Sequence, residues 1–232
     1  MLQVESFNVR YGSVIAATGI AFEVERGSIV SLIGANGAGK TSILSGISGL
    51  VASSGSVKLD GEQVSGKPTE YLVRKGLVQV PQGRQLFPQM SVRENLEIGA
   101  YLLPAEQRRE RYENLLQRFP LLRERTDQFA GTLSGGEQQI VAIARGLMAG
   151  PRILLLDEPC LGLSPIMVKR IGALVRELRA DGLTILLAEQ NAAFAFGLAD
   201  RIIGIENGRI ALSGSAEEVR QNPSVRQSYL GI

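Results

Sequence analysis

The sequence predicts an α/β fold: a mainly parallel sheet with helices on both faces, interrupted by a helical insert. Three observations point there. The runs 28–33, 76–80, 153–156 and 184–187 are mostly apolar rather than regularly alternating, as strands buried on both faces are. Stretches with helical spacing fall between them, giving the strand–helix–strand order of parallel sheets. From about 87 to 132 the strand pattern stops and the texture is helical.

Taken in order, residues 2–11 and 17–24 read as the first two strands, followed by a turn at Arg26-Gly27. The buried run 28–33 leads straight into a glycine-rich loop, and the apolar-periodic stretch 42–50 behind it reads as a helix. A strand at 56–60 turns at Asp60-Gly61, and the strand at 76–80 stops at Pro81. In the insert, Ser91 and Glu94 have the S-x-x-E spacing of a capping box, where each side chain accepts the other residue's backbone N–H. Pro104 suits the first turn of the next helix, whose Tyr112, Leu115, Leu116 and Phe119 fall at i, i+3, i+4 and i+7. The core then resumes with a helix at 134–148, a strand at 153–156, a helix at 165–179 capped by Ser164, and a strand at 184–187. Asn207-Gly208 has the composition of a two-residue hairpin turn, and short helices close the chain.

Composition narrows the chemistry. A net charge of +2 over 232 residues, with no long basic block, argues against nucleic acid as a partner. Arg108, Arg109 and Arg111 alternate with Glu106, Glu110 and Glu113, as on a solvated helix face. No apolar run approaches the ~20 residues that cross a bilayer, and the start lacks the pattern of a signal peptide. The single cysteine, Cys160, allows no intramolecular disulfide and is expected to be a packing residue in a reducing compartment. Histidine is absent, which excludes Ser-His-Asp and Cys-His catalysis and any histidine-ligated metal. The chain is expected in the cytoplasm, working with carboxylates, hydroxyls, amides and lysine.

The strongest chemical signal is Gly34-Ala35-Asn36-Gly37-Ala38-Gly39-Lys40-Thr41, which matches G-x-x-x-x-G-K-[ST] between a predicted strand and helix. A loop that wraps phosphates needs inward backbone N–H groups and no obstructing side chains, so glycine dominates it. The helix start adds free N–H groups and the positive end of its dipole. Lys40 can reach the β- and γ-phosphates, and the Thr41 hydroxyl can ligate Mg²⁺. Gly34, Asn36, Gly37, Ala38, Gly39, Lys40, Thr41 and Ser42 are therefore the candidate contacts to ATP or another nucleotide, since the loop alone leaves kinases, GTPases and ATPases open. In Ile153-Leu154-Leu155-Leu156-Asp157-Glu158, a buried strand ends in adjacent carboxylates at the edge where open α/β sheets bind ligands. Two neighbouring acids repel, and a cation makes the pair tolerable. Asp157 would hold Mg²⁺ through water, and Glu158 would act as general base on the attacking water. Ser134-Gly135-Gly136-Glu137 is a second capping box, and its glycines would let an anion approach a second helix start.

With Leu133-Ser134-Gly135-Gly136-Glu137 in view, the whole chain resembles the nucleotide-binding subunit of an ATP-binding-cassette (ABC) transporter. The resemblance implies a P-loop NTPase core, RecA-like, over 1–86 and 133–232, an antiparallel β subdomain within it, and a helical subdomain over 87–132, together one domain over 1–232. It implies a head-to-tail dimer in which Ser134, Gly135, Gly136 and Glu137 of one cassette cover ATP held by the other. It also places Tyr11 where an aromatic stacks on adenine, Gln82 in the loop that senses Mg²⁺ and communicates with the membrane subunit, and Leu161-Gly162-Leu163 across the dimer interface.

One position departs from the family. After the strand ending Leu187-Ala188, where the family usually has histidine to contact the γ-phosphate, this chain has Glu189-Gln190-Asn191. Gln190 can donate a hydrogen bond to phosphate but cannot become a cation, so its contact is weaker and independent of pH. That triplet, with Val80-Pro81-Gln82-Gly83-Arg84 and the terminal Tyr229-Leu230-Gly231, is similar to the shorter ATP-binding subunit of branched-chain amino-acid importers. The implied partners are a second cassette (heterodimeric by preference, homodimeric as the alternative), two integral membrane permeases and, indirectly, an extracytoplasmic solute-binding protein. The implied place is the cytoplasmic face of the inner membrane, peripherally bound. Alternatives are a urea or amide importer, a lipid exporter, and a soluble cassette scaffold for cluster assembly. The absence of a long heptad stretch and the single set of motifs argue against repair and translation cassettes.

Overall fold

The computed structural model describes residues 1–221. Its central sheet contains β3 (Ile29–Ile33), β6 (Leu77–Val80), β7 (Ile153–Asp157), β8 (Thr184–Glu189), β9 (Arg201–Glu206) and β10 (Arg209–Ser215), in the order β10-β9-β3-β8-β7-β6. Neighbours run parallel from β9 to β6, and β10 joins the β9 edge antiparallel. Every residue of β3, β7 and β8 is buried, which is why those runs lack alternation.

A second sheet, antiparallel throughout, is built from β1 (Leu2–Tyr11), β2 (Val14–Val24), β4 (Ser53–Leu59) and β5 (Glu62–Gln63), ordered β2-β1-β4-β5. Successive strand residues feed opposite cores, because side chains alternate across a sheet. Val30, Leu32, Leu155 and Leu186 pack with Ile43, Leu44 and Ile47 of α1 (Lys40–Ile47) and with Phe7 and Ile20 of the antiparallel sheet. Ile29, Ile33, Leu154, Leu156 and Leu187 face the other way, against Ile140 and Ile143 of α6 (Gly135–Met148) and Ile171 and Val175 of α7 (Pro165–Ala180). One face is thus covered by a helix together with a sheet, the other by helices.

The insert comprises α3 (Val92–Gly99), α4 (Ala105–Arg118) and α5 (Pro120–Glu124). The Ser91–Glu94 and Ser134–Glu137 capping boxes both form. Tyr112, Leu115, Leu116 and Phe119 are all buried, as their spacing requires. Pro104 stands just before α4 rather than inside its first turn. Asn207 and Gly208 both take positive φ, 47° and 72°, the backbone of the hairpin turn between β9 and β10.

Several boundaries differ from the sequence reading. β2 starts at Val14, where a tight hairpin pairs it with Tyr11, and β4 starts at Ser53, where the run Ser-Ser-Gly-Ser is held by pairing to Asn8 and Val9. The start of β4 carries no apolar signal of its own, whereas Val14, Ile15 and Ala16 give β2 one that a start at 17 leaves out. β5 and α2 (Thr69–Arg74) went unread because two and six residues are too few for a periodicity to show. Of the short helices expected after the hairpin, α9 (Ala216–Gln221) is present, whereas α8 (Ala192–Phe196), between β8 and β9, is an element the sequence reading lacks; Tyr229-Leu230-Gly231 lies outside the described residues.

Candidate functional site

The loop 34–39 turns over the carboxyl end of the sheet and is held from behind. A Cβ on Gly34 would meet the Ile205 carbonyl at 2.4 Å, so only glycine lets the loop pass β9. Gly39 has φ 108°, and a Cβ there would lie 2.7 Å from the Ala16 carbonyl of β2. The hairpin turn is stitched between these parts: Gly208 N–H donates to Ala38 O at 2.9 Å, and Thr18 N–H donates to Gly208 O at 2.8 Å. Tyr11, at the tip of the β1–β2 hairpin that carries Ala16, is 47% exposed, with Val14 and Ile15 exposed beside it. Asn36 and Gly37 are exposed, Ala38 is buried, and Thr41 and Ser42 are half-buried.

Lys40 folds inward. Its Nζ donates to Gly34 O at 2.9 Å and Ala35 O at 3.1 Å, and lies 3.2 Å from Glu158 Oε1. Both partners are nearly excluded from solvent, Lys40 at 3% and Glu158 at 6% exposure. The loop lysine and the candidate base therefore neutralise each other. Glu158 also sits in left-handed backbone at φ 45°, a conformation that costs a non-glycine residue ~1–3 kcal/mol, and its N–H donates to Ala188 O at 2.8 Å.

Thr41 Oγ1 donates to Asp157 Oδ1 at 3.0 Å, whereas Asp157 Oδ2 is buried without a hydrogen-bond partner. Burial raises Asp157 to about 6, against the opposing effect of the Thr41 bond. A buried carboxylate oxygen with nothing to bond is the signature of a group suited to a cation. Hydroxyl, carboxylate and amide oxygens from Thr41, Asp157 and Gln82 form a hard donor set that fits Mg²⁺. Among the described residues no three His, Cys, Asp or Glu side chains cluster as metal ligands. Mg²⁺ needs no such cluster, because it is commonly held by one or two protein groups plus substrate phosphates. Gln82 is exposed, and its Nε2 reaches Glu158 Oε2 at 3.4 Å. Gln190 is exposed just beyond the end of β8.

Ser134 caps α6, accepting from Glu137 N–H at 3.4 Å, while Glu137 Oε2 accepts from Ser134 N–H at 2.8 Å. Hydrogen bonding of the Glu137 carboxyl to the Ser134 side chain, and then to its backbone N–H, holds that carboxyl below its usual range. Gly136 packs on Met167, and Gly135 lies under the Arg84 guanidinium, which donates to Gln138 Oε1 at 3.2 Å. None of the hydrogen bonds or ion pairs of residues 134–137 reaches the 34–41 loop or the 157–158 carboxylates within the described residues.

Sequence reasoning missed the residues that hold these loops. Arg145 of α6 donates to Arg84 O at 2.9 Å and Gln85 O at 2.8 Å, pinning two residues with positive φ, 66° and 45°, just after Gln82. Asn95 is fully buried and both accepts from Phe87 N–H and donates to Phe87 O. Glu189 was visible only as part of a triplet. Its carboxyl, 3% exposed, accepts from Cys160 N–H at 3.3 Å and Asn191 N–H at 3.2 Å, and burial raises it to about 7. Burial, with Glu189 beside it, pushes the Cys160 thiol far up, in keeping with a packing role. A hollow of about 840 Å³ lies elsewhere, between α4 and α7 beside Arg118, Phe119, Glu177 and Asp181.

Comparison with known proteins adds to this geometry. Residues 17–161 match the family described as ABC transporter. The chain is 44% identical over 232 residues to the high-affinity branched-chain amino acid transport ATP-binding protein BraG of Pseudomonas aeruginosa, covering all of both proteins. It is 35% identical over 249 positions to BraF of the same organism, covering all of this chain and 98% of BraF. Among solved structures, it matches the ADP conformation of an ATP-binding cassette of an ABC transporter with a TM-score of 0.88 at 28% identity, over 100% of this chain and 99% of that one. A dimeric post-hydrolysis cassette bound to ADP and Pi matches with a TM-score of 0.82 at 26% identity, over 93% and 99%.

Proposed function

Because this chain belongs to the ABC transporter family, whose cassettes hydrolyse ATP to drive transport, we propose that it is the ATP-hydrolysing subunit of a branched-chain amino-acid importer. The observation that carries the reading is the convergence of the loop lysine, the Thr41 hydroxyl and two strand-end carboxylates in one buried constellation. In this reading, Tyr11 stacks on adenine, and the 34–39 backbone with Lys40, Thr41 and Ser42 binds the phosphates. Thr41, Asp157 and Gln82 hold Mg²⁺, which when bound offsets the negative charge of the phosphate oxygens. Phosphates compete with Glu158 for Lys40, which frees the carboxylate to take a proton from the attacking water. Gln190 donates a hydrogen bond toward the γ-phosphate.

Ser134, Gly135, Gly136 and Glu137 act in this reading on the nucleotide of a second cassette. Support comes from the dimeric cassette structure with ADP and Pi, and from the capping box that leaves the start of α6 facing outward with Ser134 exposed. The presence of both BraG and BraF in one organism favours a heterodimer of two unlike cassettes, each on a membrane permease fed by a solute-binding protein. No helix among the described residues is long and apolar enough to cross a membrane. In this reading the chain attaches peripherally to the cytoplasmic face of the inner membrane through those permeases. The chain is read as one domain, its core over 1–86 and 133–232 and its helical subdomain over 87–132.

The test is affinity purification from membranes together with leucine uptake by cells carrying or lacking the chain. Recovery of two polytopic proteins and a second cassette, with uptake lost on deletion, is expected. Purely soluble partners, or uptake that survives deletion, would overturn the transport reading.

A further inference from the structure

We infer that Glu189 is a positioning residue that fastens the segment after Glu158 to the segment carrying Gln190, so that base and phosphate-facing amide keep a fixed separation. The inference rests on the ATP-hydrolysing reading above. β8 lies between β3, which feeds the phosphate loop, and β7, which ends in the carboxylates. Glu189 is the last residue of β8 and pairs in register with Ile33, immediately before that loop. Its two oxygens are divided: Oε1 accepts from Cys160 N–H, two residues beyond Glu158, and Oε2 accepts from Asn191 N–H, one residue beyond Gln190.

Packing alone does not explain a carboxylate here. At 3% exposure it carries the desolvation cost of a buried acid, and it has no ion pair among the described residues. An apolar side chain would fill the space at lower cost but would orphan the buried Cys160 N–H and the part-buried Asn191 N–H, both in segments outside regular structure. The carboxylate supplies both acceptors from one rigid plane. Glu158 itself is in strained backbone at φ 45°, so something must hold the chain beyond it. The Cys160 clamp does so at two residues' distance.

The groups facing Glu189 are Glu158 and the Cys160 thiol on the segment after β7, with Lys40 of α1 beyond Glu158 and paired to it. On protonation, one Glu189 oxygen becomes a hydroxyl that accepts from its N–H less well than a carboxylate does, and the clamp is weakened. A glutamine at 189 keeps it weakened at every pH.

The experiment measures steady-state ATPase kinetics of the full chain, with its partner cassette where hydrolysis requires it, for parent, Glu189→Gln, Glu189→Ala and Glu158→Gln from about pH 5.5 to 8.5. Affinity for a fluorescent ATP analogue is measured in parallel. Expected for both Glu189 variants is a fall in kcat of about ten-fold, with KM and analogue affinity within about two-fold of the parent. The part of the parental acid-side decline of kcat centred on about pH 7 should be absent in Glu189→Gln, leaving only the decline at lower pH. Parental kcat in both Glu189 variants would overturn the inference, as would a loss of nucleotide affinity in step with kcat. If Glu158→Gln kept parental turnover, the hydrolytic reading itself would fail. If it were inactive while Glu189→Gln was normal, only the clamp would fail. Hydrogen exchange needs no variant: the Cys160 and Asn191 amides of the parent should be protected, and rapid exchange at both would refute the clamp.

Discussion

Replacing Glu158 by glutamine removes one charge from a pair in which both partners are buried and 3.2 Å apart. Breaking such a pair from one side costs ~3–5 kcal/mol, because the remaining charge stays buried without its counter-ion. The amide oxygen can still accept from Lys40, which also keeps the Gly34 and Ala35 carbonyls, so the loss belongs at the low end, about 3 kcal/mol. For a chain of this length 1 kcal/mol moves Tm by ~2–4 °C, so the variant should melt about 6–12 °C lower. Nucleotide offers Lys40 an anion in place of the lost carboxylate. MgATP at about 100 times its Kd returns ~2.7 kcal/mol, nearly the whole deficit, and the variant should therefore be rescued by nucleotide. Chemistry is not rescued, since a general base contributes ~10²–10⁴ in rate. Thermal melts with and without MgATP, beside a phosphate-release assay, read all three quantities. Turnover at the parental rate would refute the base assignment. An unchanged Tm would refute the claim that Lys40 depends on Glu158.

Three further outcomes follow from the same geometry. Tyr11→Ala removes a side chain that is 47% exposed, so stability should move by less than ~0.5 kcal/mol while ATP binding weakens by ~1–3 kcal/mol, measured by calorimetric titration. Gly39→Ala places a Cβ at φ 108° and 2.7 Å from the Ala16 carbonyl, so binding of the ATP analogue should be lost, with ~1–3 kcal/mol of strain appearing in urea denaturation. Glu189 is raised in the fold from 4.5 to about 7, so the folded chain holds its proton more tightly than the unfolded one. Its contribution to stability is complete below 4.5 and is lost as pH rises through about 7. The stability of the parent relative to Glu189→Gln should fall across that window in urea titrations, and a difference independent of pH would contradict the assignment.

How much of this was legible before any coordinates depends on how local each cause is. Ser91 and Ser134 cap their helices through residues three positions away, and so both boxes could be read from spacing. β3, β7 and β8 could be read because burial on both faces removes polar alternation altogether. The start of β4 could not be read, because Ser53 and Ser54 are strand residues only by virtue of Val9 and Asn8 opposite them. Arg145 gave no sign of its role, since the carbonyls it holds lie about sixty residues earlier and become available only where the loop after Gln82 takes positive φ.

The amino-acid order by itself determined the α/β class, the phosphate loop with its lysine and threonine, the carboxylate pair and the family resemblance, all of which follow from neighbours within a few positions. Only the tertiary structure decided that Lys40 turns onto Glu158, that Asp157 keeps one oxygen unbonded, and that Glu189 bridges Cys160 and Asn191. Those are contacts between strand ends that the parallel sheet sets side by side. Their pairing depends on strand order, which no local pattern encodes.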